Sequence, residues 1–133
     1  MITTAVRSLQ EGIYEALSTY EPLTGRVGEI TDTPDKDTPS PYVVIGEDNI
    51  LPFETKSSYG EDITTTLHIW DDKPTKKNVQ EIMALIMEAL SRQPINVGRF
   101  IFVTKNLVNM NIITDLDGVK KHGIISIRFT INQ

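Results

Sequence analysis

The sequence predicts a single α+β domain over residues 1–133, in the order α-β-β-α-β-β. The expected architecture is a mostly antiparallel four-stranded sheet with two helices on one face and two long loops. Three observations predict it. Two stretches place apolar residues at every third or fourth position. Others are short and apolar or alternate apolar with polar residues. Pro, Gly and Asp cluster between them. A chain of 133 residues buries about two-thirds of its unfolded surface, enough for one core without covalent staples.

The first helix is read from Ile2, Val6, Leu9, Ile13, Leu17 and Tyr20, an apolar stripe that Ala5 and Ala16 widen, with Arg7, Gln10, Glu11 and Glu15 on the other side. Gly12 weakens it by about 1 kcal/mol relative to Ala, and Pro22 and Gly25 stop it. Thr24–Ser40 shows no period and holds Gly25, Gly28, Pro34 and Pro39 with Asp32, Asp35 and Asp37, so it reads as a long loop. Pro41 leads into a short buried strand, Tyr42–Ile45. Gly46–Gly60 reads as a second irregular stretch. Ile63–Trp70 alternates, with Ile63, Thr65, Leu67 and Ile69 on one face and Thr64, Thr66, His68 and Trp70 on the other. The two strands and their linker read as a hairpin with a long arm.

Asp72 or Thr75 is placed to cap the second helix, with Pro74 in its first turn. Val79, Ile82, Met83, Ile86 and Leu90 form its inner stripe, and Pro94 closes it. Phe100–Val103 and Val108–Ile113 read as one long or kinked strand broken near Lys105-Asn106. Asp115-Leu116-Asp117-Gly118 is turn chemistry. Ile125, Ile127, Phe129 and Ile131 alternate with polar residues in the last strand, which needs pairing or protection if it lies at an edge.

Composition excludes several kinds of chemistry. There is no cysteine, hence no disulfide, thiolate metal site or cysteine nucleophile. Apolar runs such as Ile101–Val103 fall far short of a membrane span, and the opening Met1-Ile2-Thr3-Thr4-Ala5-Val6-Arg7 lacks the pattern of a signal peptide. Net charge is −5, and the basic clusters Lys73–Lys77 and Lys120–His122 are short and flanked by Asp, which argues against nucleic acid as an adhering partner. The two histidines lack metal-ligand spacing, Asp115-x-Asp117-Gly118 lacks the later ligands of a calcium loop, and no phosphate-binding glycine motif occurs. An enzyme would need His68, His122 and a carboxylate to converge within hydrogen-bond reach. A small ligand-binding or regulatory domain would need an enclosed cavity at the sheet face bearing His68 and Trp70. Surface docking remains the leading reading, because Leu51, Phe53 and Tyr59 place apolar bulk in a polar stretch.

The segment Pro41-Tyr42-Val43-Val44-Ile45-Gly46-Glu47-Asp48 after an Asp/Pro-rich stretch, Thr55-Lys56 before Gly60, Thr66–Trp70, and Asp115–Gly118 followed by Lys121-His122-Gly123 occur in an order and spacing that resembles the tail-completion (tail terminator or tail-to-head joining) family of long-tailed phages and gene transfer agents. The resemblance covers nearly the whole chain. It implies an α+β fold and a structural virion role at the head–tail interface. It further implies a ring, hexameric in the virion; loops that order only on docking would keep the free protein monomeric. The implied neighbours are the major tail tube protein and the head-completion (connector) protein, with DNA passing through the ring without specific binding. It implies no catalysis, no cofactor and no membrane. The candidate assembly contacts are Asp32, Asp35 and Asp37 in the first loop and Leu51, Phe53, Lys56 and Tyr59 in the second. Both loops are expected to be mobile in the free chain and to order on docking.

Overall fold

The computed structural model describes residues 3–92 and 94–133; Ile2, the first residue of the predicted helical stripe, lies outside them. Helix α1 spans Val6–Ser18, a single turn α2 spans Glu21–Thr24, and strand β1 spans Glu29–Thr31. Strands β2 (Tyr42–Glu54) and β3 (Tyr59–Asp71) follow, then helix α3 (Lys77–Ser91) and strands β4 (Ile101–Thr114) and β5 (Lys121–Asn132). The sheet order is β1-β2-β3-β5-β4. Only β1 runs parallel to its neighbour; the other pairs are antiparallel.

The α+β class and the mostly antiparallel sheet match the sequence reading, with three differences. First, the sheet has five strands, because Glu29–Thr31, inside the expected first loop, pairs with Tyr42–Val44. Second, Gly46–Gly60 is not an irregular loop. β2 and β3 stay paired out to Glu54 and Tyr59, and a tight turn joins them, with the Thr55 N–H donating to the Ser58 carbonyl at 2.9 Å. Third, the last strand, β5, is not an edge. It lies between β3 and β4, so β4 takes the edge.

Alternation decides which face is buried. Odd-numbered residues of β3 and β5 point to the helices, and Ile63, Leu67, Ile69, Ile125, Ile127, Phe129 and Ile131 are buried there with Leu9, Ile13, Leu17, Ile82, Ile86 and Leu90. Helix α1 packs over β1 and β2, and α3 over β3 and β5. Of the two expected caps of α3, Thr75 serves, its hydroxyl accepting the Lys77 N–H at 3.3 Å, and Asp72 does not. The helix starts at Lys77, with no side-chain bond from the residue directly before it, and Asp72 and Thr75 lie outside it. It ends at Ser91, ahead of Pro94. The start of α1 is held instead by a distant residue. Glu61, buried on β3, accepts the Ala5 N–H at 2.8 Å, which places a carboxylate at the positive end of the helix. Arg92 closes the other end, donating to the Ala16 carbonyl at 3.0 Å and lying 4.4 Å over the Tyr20 ring.

Candidate assembly surface

The helices leave two parts of the sheet uncovered, and the features of the surface follow from that. The first is the face opposite the helices, carrying the even-numbered residues of β3 and β5. His68 and His122 meet here. His68 Nδ1 lies 2.7 Å from His122 Nε2, and His68 Nε2 lies 2.7 Å from Glu47 Oε1. The His122 ring stacks on Trp70 at 3.8 Å and 12°. A bulge between Ile45 and Asp48 displaces Glu47 toward the row. Gly46 is required there, because a β-carbon on it would stand 2.6 Å from the His68 ring.

With Nε2–H of His68 donating to Glu47, neutral His68 accepts at Nδ1 and His122 donates from Nε2. If both rings were protonated, two N–H groups would oppose each other, so the pair holds at most one positive charge. The His68 hydrogen bond holds the Glu47 carboxyl below the usual carboxylate range. Burial, then repulsion from His68, holds His122 below the ordinary imidazole value.

The convergence of two imidazoles and a carboxylate, which spacing in the sequence did not show, therefore exists. It does not build a catalytic site. Both nitrogens of His68 are spent inside the row, and the Glu47 side chain is 70% exposed. Among the described residues, no group of three or more His, Asp or Glu side chains is placed to hold a metal ion. The hollow beside Trp70, of roughly 530 Å³, is open and lined by Asp35, Asp71, Asp72, Asp115, Lys36 and Lys120 among others. It is polar and unenclosed, unlike the apolar cavity a small-ligand site would need.

The second uncovered part is β4. Neither long helix packs along it as α1 and α3 do along the other strands, and only Phe102 and Ile112 of its apolar residues pack against the core. Ile101, Val103, Leu107, Val108, Met110 and Ile113 are all exposed, and Leu116 and Val119 continue the exposure into the following turn. Elsewhere among the described residues, the large exposed hydrophobics are only Tyr14, Ile50 and Leu51. Bulges between Phe102 and Thr104 and between Leu107 and Asn109 interrupt the register with β5. They account for the break expected near Lys105-Asn106, while the strand itself continues through it.

The candidate contacts of the sequence reading fall into two separated groups. Leu51, Phe53, Lys56 and Tyr59 sit at the tip of the β2–β3 hairpin: Leu51 and Lys56 exposed, Phe53 and Tyr59 half-buried. Asp32, Asp35 and Asp37 are exposed between β1 and β2. Asp32 accepts from Gln10 Nε2 at 2.8 Å, and Asp35 accepts the Asp37 N–H at 2.8 Å. Asp35 lines the hollow beside Trp70, and Trp70 pairs with Tyr42 at the hairpin's base. Tip and base are twelve residues of strand apart, roughly 40 Å. The structure does not bring the two groups together. The sequence reading placed the strand β4 but left its exposed side chains out of the candidate contacts; the available hint was that Ile101–Ile113 carries apolar residues without strict alternation.

Among the described residues, the bare apolar edge strand and the projecting hairpin are surfaces of the kind that proteins use for contact with one another. The model of the family described as tail completion protein gp17 matches residues 11–132, and the chain belongs to that family of non-enzymatic phage tail structural proteins. It is 49% identical over 129 residues to tail completion protein gp17 of Bacillus phage SPP1, covering 97% of this chain and 96% of that protein. The solved structure of bacteriophage SPP1 gp17 overlays with a TM-score of 0.71 at 49% identity, over 97% of this chain and 92% of that one. A chain from the virion of a native gene transfer agent particle overlays with a TM-score of 0.86 at 14% identity, over 99% of this chain and all of that one. That second likeness concerns the fold alone.

Proposed function

We propose that this protein caps the tail tube of a long-tailed phage and joins it to the head connector as a homo-oligomeric ring. The carrying observation is β4: six large apolar side chains exposed along one edge strand that the helices leave uncovered. An apolar edge of that kind, exposed on both sides of the strand, is a contact surface or an aggregation liability. In this reading the hairpin tip with Leu51, Phe53, Lys56 and Tyr59 and the acidic segment with Asp35 and Asp37 meet the tail tube protein and the head-completion protein. The family assignment and the shared fold with a chain of an assembled virion support the reading. The net charge of −5 suits a ring that lets DNA pass without gripping it.

Electron microscopy of particles made without this protein tests the proposal. Loose tails of uncontrolled length are expected if it terminates the tube, and finished tails unattached to heads if it acts only as a joiner. Normal tails on filled heads would overturn both.

A further inference from the structure

The charge of this chain is split along its length, and the fold turns that split into two opposed edges. Residues 89–133 carry six Lys and Arg against two Asp, a net of +4; residues 1–88 carry seven against sixteen Asp and Glu, a net of −9, and together these give the −5 of the whole. The C-terminal part builds β5 and β4 at one edge of the sheet, where Lys105, opposite Phe129, stands on the helix side, Arg128, opposite Asn106, on the other side, and Arg99 just ahead of Ile101, with no acid from there to Asp115. The opposite edge is β1 with α1 beside it. There an open groove of roughly 740 Å³ runs between helix and strand, lined by Tyr14 and Ile30 together with Glu15, Glu29, Asp32 and the Arg7–Glu11 ion pair at 3.3 Å, a net negative lining. One edge is apolar and basic; the other is an acidic groove with an apolar floor.

We infer that the β4 edge of one copy docks in the α1–β1 groove of the next. The occupant is a second copy of this chain because the two surfaces complement each other in charge and apolar character. Joining β4 to β4 would oppose Arg99, Lys105 and Arg128 with themselves, and groove to groove would oppose the net negative charge left by Glu15, Glu29 and Asp32; each is disfavoured by like-charge repulsion. Only the head-to-tail contact satisfies both surfaces, and such a contact closes into a ring or runs on as a filament. Duplex DNA is the weaker occupant for the basic edge, since three cations spread among large apolar side chains do not make a phosphate track. The inference rests on the ring reading above and assigns its subunit contact.

The absence of cysteine makes the test direct. Single variants Val108→Cys and Thr31→Cys, the first on β4 and the second on β1, are oxidised separately and mixed, both as concentrated full-length protein and in particles that carry them. The mixture is expected to cross-link several-fold above either variant alone. Lys105→Glu with Arg128→Glu in the Val108→Cys chain is expected to lower that yield about tenfold, and Glu29→Lys with Asp32→Lys in the Thr31→Cys chain to restore it. Cross-linking of Val108→Cys to itself, or no cross-link in either setting, would overturn the assignment. So would binding of duplex DNA at micromolar concentration that the Lys105→Glu, Arg128→Glu chain loses. Particles that incorporate the variants and finish their tails while showing no Thr31–Val108 link would sink this contact and leave the proposed function standing. Normal head-joined tails in particles lacking the protein would sink the function instead.

Discussion

His122 shows how a single side chain registers its surroundings. Burial disfavours its charged form and His68 adds repulsion, while Asp115 and Glu47 oppose them more weakly, so its folded pKa lies below the ordinary 6.5. In the window just under that value the unfolded chain binds the proton that the folded chain refuses. Stability therefore falls as pH drops through it. Glu47, held below 4.5 by its bond from His68, acts lower down: its contribution is complete above 4.5 and is lost as pH falls through its folded pKa. The melting temperature should thus be level above neutrality, decline below about pH 6.5, and decline further with the carboxylates. His122→Asn should flatten the upper part of the decline and leave the lower part. The sole tryptophan, Trp70, stacks on the ring, so its emission should follow the same upper titration in the parent and lose it in the variant. A parent melting temperature that stays constant between pH 7 and 5, about the span over which free imidazole titrates, would refute the assignment.

At the level of elements, legibility followed burial. β3 and β5 could be read from alternation because one face of each lies against helices, and that burial filters residue type at every second position. The outer half of β2 and all of β4 have little buried area on either face, so no alternation was selected, and Gly46–Gly60 looked like loop. β1 is three residues long, too short for any period, and its pairing is a tertiary fact. The parity of His68 and its place beside Trp70 were visible, but its partnership with His122 depended on a strand register that sequence does not state. Gly12 marks a similar boundary. As a helix residue it costs about 1 kcal/mol relative to Ala, which alone predicts that Gly12→Ala stabilises. The structure reverses that sign: a β-carbon at residue 12 would lie 2.1 Å from the Asn96 carbonyl oxygen and 2.6 Å from Ile95. The nearest obstacle is backbone, which cannot swing aside as a flexible side chain does, and overpacking costs about 1–3 kcal/mol. Gly12→Ala should therefore lower the melting temperature by roughly 5 °C; a rise would show that helix propensity outweighs the contact.

For the molecule as a whole, the distribution of charge matters more than its sum. A uniformly acidic protein repels its copies, and added salt helps them associate by screening that repulsion. Here the acidic residues 1–88 build β1, β2 and β3 and the basic residues 89–133 build β5 and β4, Arg92 apart, which lies against α1, and a head-to-tail contact places unlike charges together. The sign of the salt effect then inverts. Raising sodium chloride from about 0.01 M to 1 M shortens the screening length from roughly 30 Å to 3 Å. That change weakens attraction between the edges but leaves the buried core of Phe129, Leu9 and Ile86 with little electrostatic dependence. Association of the parent chain, followed by sedimentation or by Thr31–Val108 cross-link yield, should fall over that range while the unfolding temperature changes little. The chain carrying Lys105→Glu and Arg128→Glu has lost the basic edge and should respond in the opposite direction, gaining whatever association its apolar strand allows as salt rises. If both chains associate more strongly with salt, contact is governed by net charge and apolar area alone, and the polarity of the sheet takes no part in how copies meet.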